Sequence, residues 1–424
     1  MAYTFCPAAD FGQLEKSIAD LYGAGNLPAQ SRRCRKLLEG LETHYGPCSR
    51  AAVFSAPGRT EIGGNHTDHQ HGLVLAGSVD LDIIAAVAPN GKDVIRMRGE
   101  GFPEDAVDLN NLEVREEERN TSAALVRGMA AWFRQRGCRL EGFDAYTTSN
   151  VFRGSGLSSS AALEVLLGNI INTLFFDGRC TPVEIAQAGQ YAENVYFGKP
   201  SGLLDQMASS VGGMVTIDFA DNANPKVEKV AFDFASAGHA LCIVDSGADH
   251  ADLTDEYAAV TAELKTICGH FGRSVLRQVP EETFFAALPA LRREAGDRAV
   301  LRAMHIYEEN RRVAGQVAAL RQGDFGAFLN LVRSSGLSSW RYLQNVVPAG
   351  YTAHQEVAFA LGLAERLLAG RGACRVHGGG FAGTIQAFVP ADLLEGFRTE
   401  MERVLGQGSC HVLTIRPVGG VRLA

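Results

Sequence analysis

Long apolar runs are missing from this chain of 424 residues: the stretch 240–244 falls far short of the roughly 18 to 20 residues a membrane-crossing helix needs. Residues 1–30 are interrupted by Asp10, Glu15, Lys16 and Asp20, so neither a secretory signal nor a spanning segment can be drawn there, and the expected location is the cytoplasm. Basic clusters are absent too. The 40 Lys and Arg are dispersed among 48 Asp and Glu, and a formal net charge of −8 leaves no field that would gather nucleic acid. No C-x-x-C pair occurs among the nine cysteines, which argues against structural zinc and suits thiols buried in a reducing compartment. The Walker pattern G-x-x-x-x-G-K-[ST] is missing, and the glycine-serine loop at 154–160 does not meet the dinucleotide spacing G-x-G-x-x-[GA], which excludes those two nucleotide-binding designs for that loop. Repeats and low-complexity tracts are lacking as well.

What is present is a globular composition, 46% hydrophobic and 21% charged, with material for a large core in two domains or one composite unit. Residues 11–23 and 31–45 carry helical spacing and form a helical lead-in of unassigned role. From 51 to 98, β-branched and apolar segments separated by Gly, Asn and Pro predict a sheet. Helices are expected over about 121–136 and 158–176, with a strand over 142–148 between them. Thr181-Pro182-Val183-Glu184 reads as a capping box opening another helix. The polar segment DNANPKVEK after MVTID marks the expected domain boundary, giving a lead-in at 1–50, a first domain at 51–220 and a second at 221–424. The second half is expected to be mostly helical (252–270, 298–320, 325–334, 352–369), with strands in ALCIVD, TIQAFVP and CHVLTIRPV. Strands and helices alternate without a regular βαβ repeat, so the fold class is α+β.

The sharpest local signal is TTSNVFRGSGLSSSAALEVLLGNI: strand, glycine-serine loop, then helix. Such a loop aims backbone N–H groups and the positive end of a helix dipole at one point, which suits a polyphosphate. The run G-x-G-L-S-S-S-A resembles the second motif of the GHMP kinases. That resemblance implies an ATP site over Gly154, Ser155, Gly156, Leu157, Ser158, Ser159 and Ser160. It also implies Mg²⁺ held by Ser160 and by Glu193 in QYAENVYFG, an oxygen donor set that suits this ion. On its own, Glu193 would pass equally well for an exposed helix carboxylate.

APGRTEIGGNHTDHQHG (56–72) is similar to the galactokinase signature, approximately G-R-V-N-L-I-G-E-H-T-D-Y-N-x-G, with Arg59, Gly64, His66, Thr67, Asp68 and Gly72 in register. Clustered His and Asp beside an Arg supply the donors and acceptors that read sugar hydroxyls. Metal ligation by His66, Asp68, His69 and His71 is disfavoured, because neighbouring positions on a turn seldom converge on one centre. GLLDQMASSVGG (202–213) resembles the family's G-I-M-D-Q segment, and RVHGGGFAGTIQAFVP (375–390) its third motif, whose glycines allow close approach to the phosphate loop. Tyr257 matches a sugar-touching tyrosine. The implied fold is the two-domain GHMP kinase fold, a ribosomal S5-like first domain and a ferredoxin-like α+β second domain behind the helical lead-in.

The implied reaction moves the γ-phosphoryl group of ATP to an anomeric hydroxyl. Asp205 is the candidate base or orienting acid and Arg59 the cation beside it; Asn65, His66, Asp68, Asp205 and Tyr257 are the sugar contacts. The expected partners are a small sugar and ATP, with no nucleic acid or membrane, and the chain is expected to act as a monomer. Four departures stand out. Asn65 replaces the glutamate that in galactokinases contacts the C6 hydroxyl, and His69 replaces a tyrosine. Ala382 replaces a glycine, and SSWRYLQN (338–345) is less acidic than its family counterpart. Losing a carboxylate near C6 leaves galacturonate, L-arabinose and N-acetylated galactose beside galactose as acceptors. A non-catalytic sugar sensor is the alternative from another class, opposed by the undamaged GSGLSSSAALE.

Overall fold

The computed structural model describes residues 11–48, 50–151, 156–248 and 253–424. Its framework is a pair of sheets. The strands are β1 (Ala52–Gly63), β2 (Leu73–Pro89), β3 (Val94–Gly99), β4 (Glu104–Asp108), β5 (Phe143–Ser149), β6 (Met214–Asp218), β7 (Lys226–Lys229), β8 (His239–Ala248), β9 (Ala373–Val376), β10 (Gly383–Pro390), β11 (Cys410–Leu413) and β12 (Val421–Arg422). Among the described residues an eight-stranded sheet runs β12-β1-β2-β5-β3-β4, with β6 and β7 branching from the long strand β2, and a four-stranded sheet runs β11-β8-β10-β9. Among the described strands, only β3 and β5 pair in parallel. The boundary drawn at 220 falls before β7, which adds to β6 in the first sheet, and β12, at the far end of the described chain, pairs with β1.

The helices are α1 (Phe11–Tyr22), α2 (Leu27–Tyr45), α3 (Ser122–Gln135), α4 (Ser159–Phe175), α5 (Pro182–Tyr191), α6 (Leu204–Val211), α7 (Thr254–His270), α8 (Glu281–Ala286), α9 (Leu288–Glu294), α10 (Gly296–Gln322), α11 (Phe325–Ser338), α12 (Glu356–Leu368) and α13 (Leu394–Leu405). Local chemistry explains several starts. Thr181 accepts from the Glu184 amide at 3.3 Å while Glu184 accepts from the Thr181 amide at 2.8 Å, so two of the orphan donors at the start of α5 are met. Asp324 caps α11 through the Ala327 amide. No described helix is long and apolar enough to cross a membrane.

Strand β1 is buried at every position because both faces of its sheet are covered. Phe54, Ala56, Val165, Leu166 and Ile170 belong to the main core, shared with α3 and α4. On the other face Val53, Ile84 and Ala86 pack with Leu14, Ile18, Leu37 and Leu41 of the lead-in helices. Asp82, fully buried in β2, is the polar knot of that layer. It accepts from Arg33 and Arg416 and from the hydroxyls of Tyr22 and Ser55. The charges of the two guanidiniums and these hydrogen bonds outweigh burial, which alone would raise its pKa, and hold it below the ordinary carboxylate value.

Candidate active site

The site forms where β1 meets the serine loop, α6 and the second sheet. β1 carries register breaks on both sides of residues 59–61, between Pro57 and Arg59 and between Glu61 and Gly63. Bulges of this kind re-aim side chains beside functional sites. Arg59, almost wholly buried, donates from Nε to Asp205 Oδ1 at 2.7 Å and from Nη1 to the carbonyl of Gly156 in the loop. Its own amide donates to the Leu157 carbonyl at 3.0 Å.

Asp205 stands in the first turn of α6 with a third of its side chain open. Its Oδ2 accepts from Ser158 Oγ at 2.7 Å. Burial pushes its pKa up, but the Arg59 charge and the bonds from Arg59 and Ser158 pull further the other way, so the carboxyl lies below its ordinary value. Ser158, the residue before α4, has a left-handed φ of 56° and makes no cap bond with its side chain. Its hydroxyl is spent on Asp205 instead, which leaves the first amides of a 17-residue helix for another acceptor. Gly154 and Ser155 lie outside the described residues, as do 249–252 ahead of Tyr257.

Ser160 Oγ lies 3.4 Å from Glu193 Oε1. Glu193, which the sequence alone left open to an exposed reading, is buried in a π-helical turn at Ala192–Phe197. Lys199 Nζ stands 3.4 Å from the same oxygen, and Gln206 Nε2 donates at 2.9 Å to both Glu193 Oε2 and Glu164 Oε2. Burial and the neighbouring Glu193 charge raise Glu164 well above the usual carboxylate range. Glu164 Oε1 and Gln206 Oε1 are buried without a partner among the described residues. A hydroxyl, a carboxylate and unused acceptor capacity are all oxygen donors, and they fit a hard cation that retains waters and phosphates. Sequence reasoning missed Glu164, Gln206 and Lys199; the first sits one helical turn after Ser160 and the second directly follows Asp205.

The sugar motif forms a turn, Thr67 N donating to Gly64 O at 3.1 Å. Asp68 is half-buried, and a Cβ on Gly202 would lie 1.9 Å from Asp68 Oδ2, so a side chain there would push the carboxylate from its present position. His66 is pulled down to about 4 by burial and so is neutral at pH 7; its Nε2 stands 3.0 Å from Gly379 O. Tyr257 donates to Gly380 O at 2.7 Å. Asn65 departs from expectation. It is fully buried, donates to Glu61 Oε1 at 3.1 Å and Gly378 O at 2.5 Å, and accepts from Asn345 Nδ2 at 2.8 Å, so both amide hydrogens are committed and Oδ1 already has one partner.

The third motif closes the site from the second sheet. The Glu61 amide donates to His377 Nε2 at 3.2 Å, which puts the ring proton on Nδ1, 3.0 Å from Thr384 Oγ1. Gln386 donates to Thr60 Oγ1 at 2.7 Å and Arg375 to Ile62 O at 3.0 Å, so side chains of β9 and β10 satisfy the polar edge of β1.

Two family models match this chain: the GHMP kinases N terminal domain over residues 124–213 and the galactokinase galactose-binding signature over 41–89. A galactokinase of Streptomyces coelicolor is 32% identical over 80% of this chain and 84% of its own length. The chain belongs to the galactokinase family. A galactokinase of Glaesserella parasuis is 30% identical over 84% of this chain and 90% of its own length. The crystal structure of Lactococcus lactis galactokinase complexed with galactose superposes with a TM-score of 0.78 at 26% identity, covering 92% of this chain and 99% of that one. The fold of this galactokinase-family chain is therefore the GHMP kinase fold, a sugar kinase scaffold, and kinase activity implies ATP.

Proposed function

We propose that this chain transfers the γ-phosphoryl group of ATP to the anomeric hydroxyl of galactose, giving galactose 1-phosphate and ADP. The observation that carries the reading is Arg59, whose single guanidinium bridges the Asp205 carboxylate and the Gly156 carbonyl of the serine loop. A sugar oxygen beside Asp205 and a phosphoryl group at the loop would meet across that cation.

ATP lies against the 154–160 loop, with its phosphates at the free amides of α4. The sugar lies among Arg59, His66, Asp68, Asp205 and Tyr257; Asn65 holds the turn rather than the sugar. Ser160 and Glu193 would hold Mg²⁺, which would neutralise charge on the phosphates of ATP. Asp205, ionised at neutral pH, orients the O1–H. As the new O1–P bond forms and the bond from phosphorus to the ADP oxygen breaks, the O1 proton passes to Asp205 Oδ2. A loose transition state needs little nucleophile activation beforehand, so an acid held below its ordinary pKa suffices. Arg59 offsets charge on the transferring group. The intact Arg59–Asp205–Ser158 set disfavours the silent-sensor alternative.

Asp205→Asn is expected to bind galactose yet lose at least about 10²-fold in kcat. Turnover within about threefold of wild type, in a coupled ADP-release assay, would remove Asp205 from the chemistry.

A further inference from the structure

Arg59 and Glu61 are two apart in β1, inside the short regular window between its register breaks, so their side chains leave the strand on the same side. Arg59 faces Asp205, which directs Glu61 toward the same cleft, where it feels the charges of Arg59 and Asp68. The Glu61 side chain is only 8% exposed. Its Oε1 accepts from Arg375 Nη2 at 2.5 Å and from Asn65 Nδ2 at 3.1 Å, whereas Oε2 makes no hydrogen bond among the described residues. A carboxylate can accept about four hydrogen bonds, and Oε2 is not among the sealed polar atoms that lack a partner, so it is open to solvent or to a ligand. Asn65 is in the opposite condition, both polar atoms of its side chain having partners.

These two positions read Asn and Glu in the signature quoted above, and here they read Glu and Asn. One carboxylate and one amide remain, in mutual contact, with their places exchanged. We propose that Glu61 is an acceptor-recognition residue: its Oε2 accepts a hydroxyl of the sugar, and the carboxylate missing from position 65 acts from position 61. The acceptor pocket then retains an acidic hydrogen-bond acceptor and selects a polyhydroxylated neutral sugar over a uronic acid, whose carboxylate Glu61 would repel. Asn65 is the positioning partner that holds Glu61 and the Gly378 carbonyl together.

The proposal rests on the sugar-kinase reading, so wild type is assayed first with galactose, galacturonate and the monodeoxy-galactoses. Failure to consume ATP with any of them would fail that reading; Glu61 is then judged by the same comparisons made with calorimetric dissociation constants. In wild type, galacturonate is expected to be at least about tenfold poorer than galactose in kcat/KM. Glu61→Gln should raise KM for galactose about tenfold or more while KM for ATP stays within about twofold. One deoxy sugar, the one lacking the recognised hydroxyl, should show no difference between wild type and Glu61→Gln. An unchanged KM for galactose, or an equal rise for every deoxy sugar, would overturn the proposal and leave Glu61 with packing alone. Should Glu61→Gln fail to fold with Arg375 unpaired, the exchange Glu61→Asn/Asn65→Glu carries the test. The double variant should recover the wild-type KM within about threefold, whereas Asn65→Glu alone, with two carboxylates at hydrogen-bond distance, should be less stable than wild type. A double variant no better than its single components would equally overturn it.

Discussion

Ser158 and Ser160, two positions apart, serve different acids: the first donates to Asp205 and the second reaches Glu193. Ser160→Ala should therefore raise the Mg²⁺ concentration for half-maximal activity by about tenfold with little change in KM for sugar, the scale expected when a metal loses part of its support. An Mg²⁺ titration at fixed ATP reads this directly, and an unmoved midpoint would shift the metal role to another oxygen. The serine run itself was legible in the sequence, because few other arrangements place so many small hydroxyl residues at a helix start. The division of labour within it was not, since that depends on α6 and the turn at Glu193 approaching from elsewhere. Arg59 and Asp205 were legible from their motifs and do meet, at 2.7 Å. Glu61 was not singled out, although its spacing from Arg59 on a strand was a usable signal; its partner Arg375 lies far along the chain and no local pattern could announce it.

At the level of elements, Gly156 shows how closely the second sheet is applied to the serine loop. It has a φ of +67°, and a Cβ there would lie 2.9 Å from both His377 Nδ1 and Thr384 Oγ1. His377 is fully buried and is held well below its usual pKa, by burial first and then by the Arg59 and Arg375 charges, so a neutral ring packs against the loop. Gly156→Ala should cost about 1–3 kcal/mol in stability and raise KM for ATP more than KM for sugar. Urea titration and substrate kinetics on one preparation test both halves; equal effects on the two KM values would mean that the loop does not seat the nucleotide. Long periodic helices such as α4 and α10 were legible because burial imposes their spacing, as was the capping box at Thr181. The π-helical turns at Ala192–Phe197 and Ser339–Leu343 were not, because tertiary packing rather than composition widens them.

For the molecule as a whole, the lead-in helices act as the second cover of the first sheet. Their amphipathic pattern was visible in the sequence, but their destination was not: Asp82 interrupts the apolar run of β2 and gives no sign of the partners that converge on it. Tyr22→Phe deletes a buried hydroxyl that donates to Asp82, and should lower global stability by about 1.5–3 kcal/mol with both KM values unchanged. Chemical denaturation beside steady-state kinetics checks this, and a loss of activity without a loss of stability would give the lead-in a catalytic duty. Arg59 carries an implication of a different kind, since the same fork of nitrogens touches the acid on one side and the loop on the other. Whichever guest arrives first trims the freedom of that fork before the second is admitted. The affinity for each should accordingly depend on the presence of the other, by the same factor in both directions.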